Sequence, residues 1–342
     1  MKCEICGKNN VSAILGVCSD CIREEWDRTK FFVEKAHHIS RKKFNLPPKP
    51  PKKGVECNLC IHHCKISEGE RGYCGIRTNI KGKLVHLAGT PSRGIAEWYF
   101  DPLPTNCVAS WCCPARDKFS PLKNLAVFYG ACTFNCLYCQ NWTFKENTML
   151  LSPTISAKKL ASNIDEYTYC ICYFGGDPTP QVAHALKVSK LATEVKDIKI
   201  CWETNGSMNS RILKKVAETS IESGGTIKID IKAWNDNLHR ALTGVTNAQT
   251  LKNIEYLGKI APEIIVASTV LLPYYIDREE IENIARFLSS IDENIPYSLL
   301  AFYPTFYMRD LPTTSKKHAL ECYHIAKKYL KNVRLGNVHL LH

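Results

Sequence analysis

Downstream of Leu122 the chain alternates short apolar runs with longer segments whose apolar residues recur at helical spacing. The short runs predict strands over Leu125–Tyr129, Tyr169–Phe174, Ile198–Trp202, Thr226–Ile231, Glu263–Val270 and Tyr297–Phe302. The segments between them predict helices over Ala157–Tyr167, Pro180–Val195, Ser210–Ser220, Ala248–Lys259, Arg278–Leu288 and Ser315–Leu330. Parallel neighbours need a crossover long enough to hold a helix, so this alternation reads as parallel βα units. The units are too few for a closed eightfold barrel. The expected fold is α/β, a partial (βα)6 barrel of parallel strands with its site at the strands' C-terminal ends.

Upstream the pattern changes. Residues 1–40 hold two CxxC pairs and then a predicted helix over Ile22–His38. Residues 41–54 are rich in Lys and Pro and read as a stiff, solvated linker. Residues 55–120 are rich in Cys, Gly and Pro and show no sustained periodicity, so bound metal is expected to tie them down. The expected organisation is a zinc-ribbon-like module (1–40), a linker (41–54), a Cys-rich auxiliary region (55–120) and an α/β core (121–342).

Composition narrows the chemistry. At 45% hydrophobic and 23% charged residues, the 342-residue chain has the makings of a packed core rather than a disordered polymer. The longest apolar-rich stretch, Ile264–Ile276, is too short to cross a bilayer and is broken by Ser268, Thr269 and Pro273. No apolar leader follows Met1, so a soluble, cytoplasmic protein is expected. The 18 cysteines fall in tight CxxC and CxxxC groups, which favours metal ligation over disulfides. The formal charge of +12 leaves nucleic acid open as a partner, although the basic residues concentrate in the linker.

The most informative segment is Gly130-Ala131-Cys132-Thr133-Phe134-Asn135-Cys136-Leu137-Tyr138-Cys139-Gln140-Asn141, directly after the first predicted core strand. Three thiolates at CxxxCxxC spacing can hold three irons of a [4Fe–4S] cube and leave the fourth open to a small molecule. A structural metal completed by a distant cysteine is the plainer alternative. The segment resembles the signature loop of radical S-adenosylmethionine (SAM) enzymes. With Gln140-Asn141-Trp142 it is similar to the branch that holds the glycyl-radical-enzyme (pyruvate formate-lyase) activating enzymes and the AmmeMemoRadiSam-type proteins. That resemblance implies a cluster on Cys132, Cys136 and Cys139 whose open iron chelates SAM and cleaves it reductively to a 5′-deoxyadenosyl radical.

The resemblance extends over roughly residues 55–340 and implies SAM contacts at further strand ends. Gly175-Gly176-Asp177-Pro178 is similar to the family's Gly-Gly-Glu, which meets the SAM amino group, with Asp in place of Glu. Glu203-Thr204-Asn205-Gly206 resembles the activating enzymes' Asp-Thr-Asn-Gly, and Asp230-Ile231-Lys232 their Asp-Leu-Lys. Glu203, Thr204, Asn205, Asp230 and Lys232 are therefore expected at SAM, as is Asn141 from the cluster loop. A monovalent cation held by some members is in question here, because Glu203 replaces Asp. No residue stands out as a general acid or base, so no protein side chain is assigned a catalytic role.

Three further cysteine groups remain. Cys57, Cys60, Cys64 and Cys74 form a CxxCxxxC-x9-C set, enough sulfur for a closed second [4Fe–4S] cluster or for zinc. It resembles the Cys-rich segment of the AmmeMemoRadiSam-type proteins, with His62 and His63 as nearby polar groups. Cys3, Cys6, Cys18 and Cys21 form CxxC-x11-CxxC, the spacing of a zinc ribbon, which rubredoxin-like iron would also satisfy. Cys107, Cys112 and Cys113 would line the active site, hold a cofactor or simply be buried. Cys170, Cys172, Cys201 and Cys322 fall in predicted strands or a helix and read as core.

The expected function is a radical SAM enzyme that modifies a peptide or protein by hydrogen abstraction, with a ferredoxin or flavodoxin as electron donor. Two alternatives stand beside it. One is a cobalamin-dependent radical SAM C-methyltransferase acting on a protein residue, as in the modification of methanogen enzymes, with Cys107–Pro114 and the aromatic-rich Tyr297–Met308 stretch able to build the cobalamin pocket. The other is an RNA-modifying radical SAM enzyme, suggested by the basic charge and the ribbon.

Overall fold

The computed structural model describes every residue from Met1 to His342. In chain order it contains α1 (Ser19–Glu24), α2 (Trp26–Lys42), β1 (Val55–Glu56), β2 (Lys65–Ile66), β3 (Arg77–Ile80), β4 (Lys83–His86), β5 (Gly94–Pro102) and β6 (Lys123–Tyr129). There follow α3 (Phe144–Leu150), β7 (Thr154–Ile155), α4 (Ala157–Ala161), β8 (Thr168–Gly175), α5 (Val182–Val195), β9 (Lys199–Thr204), α6 (Ser210–Ser223) and β10 (Ile227–Asp230). The chain ends with α7 (Asp236–Thr243), α8 (Ala248–Ile260), β11 (Ile265–Leu271), α9 (Arg278–Ile291), β12 (Tyr297–Ala301), α10 (Lys316–Ala326) and β13 (Val333–Gly336). Two compact units share these elements: Met1–Arg41 with Phe134–Gln140 and Asp230–His342, and Lys42–Thr133 with Asn141–Ile229. No helix is long and apolar enough to cross a membrane.

In the second unit β6 pairs in parallel with β8, β8 with β9, and β9 with β10, while β5 lies antiparallel on the other side of β6. The apolar residues that drive these strands alternate in their facing. Tyr129, Tyr173 and Trp202 form a ring stack on one side of the sheet, with Tyr173 and Trp202 4.7 Å apart. The intervening positions Asn124, Cys170, Cys172, Cys201, Glu203 and Lys228 belong to the other face, because strand side chains alternate with period two. The second face therefore carries thiols and polar groups along β8, β9 and β10, with Phe128 and Phe174 in edge-to-face contact at its end. In the first unit β11, β12 and β13 pair in parallel, with Ala267 opposite Tyr297 and Tyr297 opposite Val333. Within each unit the strands run mostly parallel, the α/β pairing expected from the sequence.

Helix ends follow local chemistry. Asn209 caps α6 by accepting from the backbone N–H groups of Arg211 and Ile212, and Gly224 ends it in the left-handed region. Asp277 caps α9 and Ser315 caps α10 in the same way. The helix expected over Ala157–Tyr167 stops at Ala161, because Ser162 and Asn163 turn their side chains back onto the carbonyls of Lys159 and Leu160. The helix expected over Ile22–His38 is two, broken at Glu25 and continuing to Lys42. Residues 55–120 are less irregular than their composition suggests: they contain the β3–β4 hairpin and the nine-residue β5.

Two fully buried histidines give the fold an acid limit. Tyr129 donates to His184 Nδ1 (2.7 Å), and His184 Nε2–H donates to the Ile155 carbonyl (3.0 Å), an arrangement suited to the neutral ring. His239 donates to the Val245 carbonyl (2.6 Å) and its Nε2 is buried without a partner. Burial pushes both down to about 4. Above the unfolded value of roughly 6.5 neither state takes the proton; below it the unfolded chain does so first, so stability falls with pH down to the folded value. Urea unfolding at pH 5 should show about 2 kcal/mol less stability per histidine than at pH 7. An unchanged midpoint would contradict this.

Candidate functional site

The loop Gly130–Asn141 leaves the end of β6 and passes from one unit to the other between Thr133 and Phe134. On the first side, the end of β9 braces it. Asn205 donates through Nδ2 to the Cys132 sulfur (3.7 Å) and to Thr133 Oγ1 (2.7 Å), while Ser207 bonds the same hydroxyl at 2.7 Å. His62 Nε2–H donates to the Thr133 carbonyl at 2.6 Å. The end of β8 presses on the loop as well: Gly176 N–H donates to the Tyr129 carbonyl and Asp177 N–H to that of Ala131. A Cβ on Gly175, at φ +112°, would sit 2.5 Å from Tyr129 N, and one on Gly176 would sit 2.1 Å from the Ala131 oxygen. The two glycines are thus needed for backbone to approach backbone.

Asp177 is 1% exposed, and the chain already engages both its oxygens. Oδ1 accepts from Thr204 Oγ1 (2.6 Å) and Asn205 N–H (3.1 Å), and Oδ2 from Thr179 N–H (3.0 Å). Burial pushes its carboxyl above the usual range, against the pull of these hydrogen bonds. Its visible work is to lock the end of β8 to the end of β9. Asn141 reaches back in the same unit, donating to the Gly175 carbonyl at 3.2 Å.

In the other unit the loop is held by main chain. Asn135 and Leu137 N–H donate to the Thr243 and Leu242 carbonyls, and Tyr307 N–H donates to the Leu137 carbonyl. Phe134, Leu137 and Tyr138 are buried, so the residues flanking Cys136 and Cys139 anchor the loop by apolar burial. Tyr138 Oη is buried with no hydrogen-bond partner. At the end of β10, Lys232 Nζ pairs with Asp230 Oδ2 at 2.9 Å, their side chains 14% and 25% exposed, and Ser268 donates to Oδ1. Burial opposes the charge on Lys232, but Asp230, Tyr138 and Cys136 outweigh it and hold the ammonium well above its ordinary pKa.

Two four-cysteine sets are also assembled. The sulfurs of Cys3, Cys6, Cys18 and Cys21 lie within 4.8 Å of one another, and none of the 18 cysteines is in a disulfide. Despite burial, backbone N–H donors lower Cys3 to about 6, which prepares a thiolate. This group can hold a metal. Cys57, Cys60, Cys64 and Cys74 line one small cavity with His62, Tyr73 and Arg77. Burial pushes Cys64 up to about 11 and Cys60 well above its ordinary value, and the neighbouring thiols add to it. Buried Arg77 has an Nε without a partner on this cavity's wall, a cation suited to an anionic thiolate centre.

Glu203 does not stand clear at the end of β9. Lys228 Nζ holds its Oε2 at 2.9 Å, and the Cys107 and Cys172 thiols donate to Oε1 at 3.0 and 3.7 Å. In the sequence Cys172 reads as core and Cys107 as lining the active site, holding a cofactor or buried, so neither is tied there to Glu203. The signal that joins part of the group is the i, i+2 spacing of Cys170 and Cys172 and of Cys201 and Glu203 on adjacent strands.

Comparison with known proteins agrees with this picture. The Radical SAM superfamily model matches residues 126–288. A putative glycyl-radical enzyme activating enzyme of Methanocaldococcus jannaschii is 32% identical over 212 residues, covering 60% of this chain and 77% of that one. Pyruvate formate-lyase 1-activating enzyme of Escherichia coli is 22% identical over 185 residues, 52% of this chain and 72% of that one. Streptococcus suis SuiB, solved with its precursor peptide SuiA, superposes with a TM-score of 0.50 at 16% identity. That likeness, over 61% of this chain and 47% of SuiB, is one of fold. A thiol-bearing loop after the first core strand, strand-end polar groups braced against it and a family match spanning both make this chain a member of the radical SAM superfamily and an enzyme.

Proposed function

We propose that the enzyme modifies a peptide or protein by radical hydrogen abstraction, using a [4Fe–4S] cluster on Cys132, Cys136 and Cys139 with SAM. The observation that carries the reading is the loop Gly130–Asn141 at the end of β6, with three thiols at CxxxCxxC spacing and an amide from Asn205 on the first of them. A soft, all-thiol donor set outside any disulfide fits such a cluster. When bound, the cluster and SAM supply an electron and a sulfonium whose cleavage gives methionine and a 5′-deoxyadenosyl radical.

The chain's own residues hold and dry that place. Asn205 orients the Cys132 thiolate, and Asp177 fixes Asn205 by accepting from its backbone N–H. Phe134, Leu137 and Tyr138 keep water from the loop's flanks. Asp230 and Lys232 offer opposite charges for the amino-acid end of SAM, and Asn141, Gly175, Gly176 and Thr204 complete the proposed SAM surface. The set Cys57, Cys60, Cys64 and Cys74 is proposed to hold a second cluster, with Arg77 as counter-charge, and the ribbon cysteines to hold zinc. A polypeptide substrate is supported by the relatives, which are named as activating enzymes, and by the peptide on SuiB. A ferredoxin or flavodoxin is the proposed donor.

The test is product analysis after anaerobic incubation with SAM and dithionite. 5′-Deoxyadenosine without S-adenosylhomocysteine is expected. Both products together, from protein carrying cobalamin, would replace this reading with methyl transfer.

A further inference from the structure

We propose an additional metal site, independent of the SAM-binding loop, formed by Cys107, Cys172 and Glu203 on the thiol-bearing face of the second unit's sheet. It would take one thiophilic divalent cation of the zinc type. The three ligand atoms already lie within 4.8 Å of one another. Tetrahedral coordination at ordinary zinc–sulfur and zinc–oxygen lengths separates a sulfur from an oxygen by about 3.5 Å. The present separations of 3.0 and 3.7 Å from Glu203 Oε1 bracket that value.

The surroundings are built for such an ion. Lys228 holds Oε2, so the carboxylate is fixed with Oε1 turned toward both thiols. Both β strands contribute by their alternation: Cys172 stands opposite Cys201 in register, and Glu203 opposite Lys228. The third ligand arrives on the segment after β5, where Asp101 Oδ2 accepts from the Thr105 hydroxyl and from Asn106 N–H and so fixes the turn that presents Cys107. The adjoining cavity is lined by Cys107, Cys113, Cys170, Cys172 and Cys201. Two of these thiols meet the fixed carboxylate of Glu203. Three protein ligands leave a fourth position for water or an incoming thiolate, the arrangement of a reactive rather than a purely structural centre.

The experiment uses the full-length protein, prepared anaerobically with its other metal sites filled, and Cd²⁺ as the probe. Wild type should bind one more Cd²⁺ per chain than Cys107→Ser/Cys172→Ser. In wild type, Cd²⁺ should slow iodoacetamide labelling of Cys107 and Cys172, read by peptide mass spectrometry, about tenfold or more. Glu203→Gln keeps both thiols and the side chain's shape, and should weaken that Cd²⁺ about tenfold or more. Equal Cd²⁺ stoichiometry in wild type and the double variant overturns the proposal, and so does labelling of the two cysteines that Cd²⁺ leaves unchanged. If the double variant fails to fold, the wild-type labelling result and Glu203→Gln decide the matter alone.

Discussion

Cys136→Ala is expected to reduce SAM cleavage to the rate seen without protein, while metal at Cys3, Cys6, Cys18 and Cys21 stays bound. The effect is all-or-none because a cluster held by three thiolates has no spare ligand, and with two it is lost or rearranged. Cys136 lies in a loop anchored by Asn135 and Leu137 to the carbonyls of Thr243 and Leu242, so the backbone around the substitution has its own support. Iron and zinc analysis alongside 5′-deoxyadenosine measurement checks both halves of the expectation. Retained cleavage would remove Cys136 from the cluster. Loss of the metal at Cys3, Cys6, Cys18 and Cys21 together with iron would show general unfolding instead.

The second large effect is on stability. Asp230→Ala leaves the Lys232 ammonium, 14% exposed, without its carboxylate partner at 2.9 Å, and takes from Ser268 the acceptor of its hydroxyl. Removing one member of a buried pair costs more than the pair itself is worth, because the remaining charge stays desolvated. Since Asp230 keeps a quarter of its side chain in solvent, the lower end of that range applies, about 3 kcal/mol. Asp230→Ala/Lys232→Met should recover most of the loss, since no charge is then stranded. Denaturant midpoints of the two variants make the comparison. Equal destabilisation by both would mean that the pair contributes through packing alone.

The strands and the loop were legible in the sequence for different reasons. The core strands carry continuous apolar runs, and β6, β8, β9, β10, β11 and β12 fall within a few residues of the expected positions. The β5 strand escaped notice because Glu97 and Asp101 interrupt its apolar residues and Gly and Pro bound it; it is held by pairing with β6. The α7 helix and β13 were missed too, being short segments set by their caps and neighbours. At the site, the cysteine spacings placed the ribbon group correctly in one cluster of sulfurs. The role of Asp177 as a brace was not legible, because it depends on donors from Thr204 and Asn205 that only the fold brings beside it. Cys170, Cys172 and Cys201 read as core because they sit in apolar strands, yet their side of the sheet also carries Asn124, Glu203 and Lys228. Cys107 stayed open among active-site, cofactor-holding and buried readings, since it comes from a segment without periodicity.

The most direct test of the account is electron paramagnetic resonance of the anaerobic, reduced protein before and after SAM is added. A cluster with one iron free of protein sulfur should give a [4Fe–4S]⁺ signal whose g-values move when SAM coordinates, and Cys136→Ala should lack it. A signal indifferent to SAM, or no such signal in wild type, would contradict the central claim.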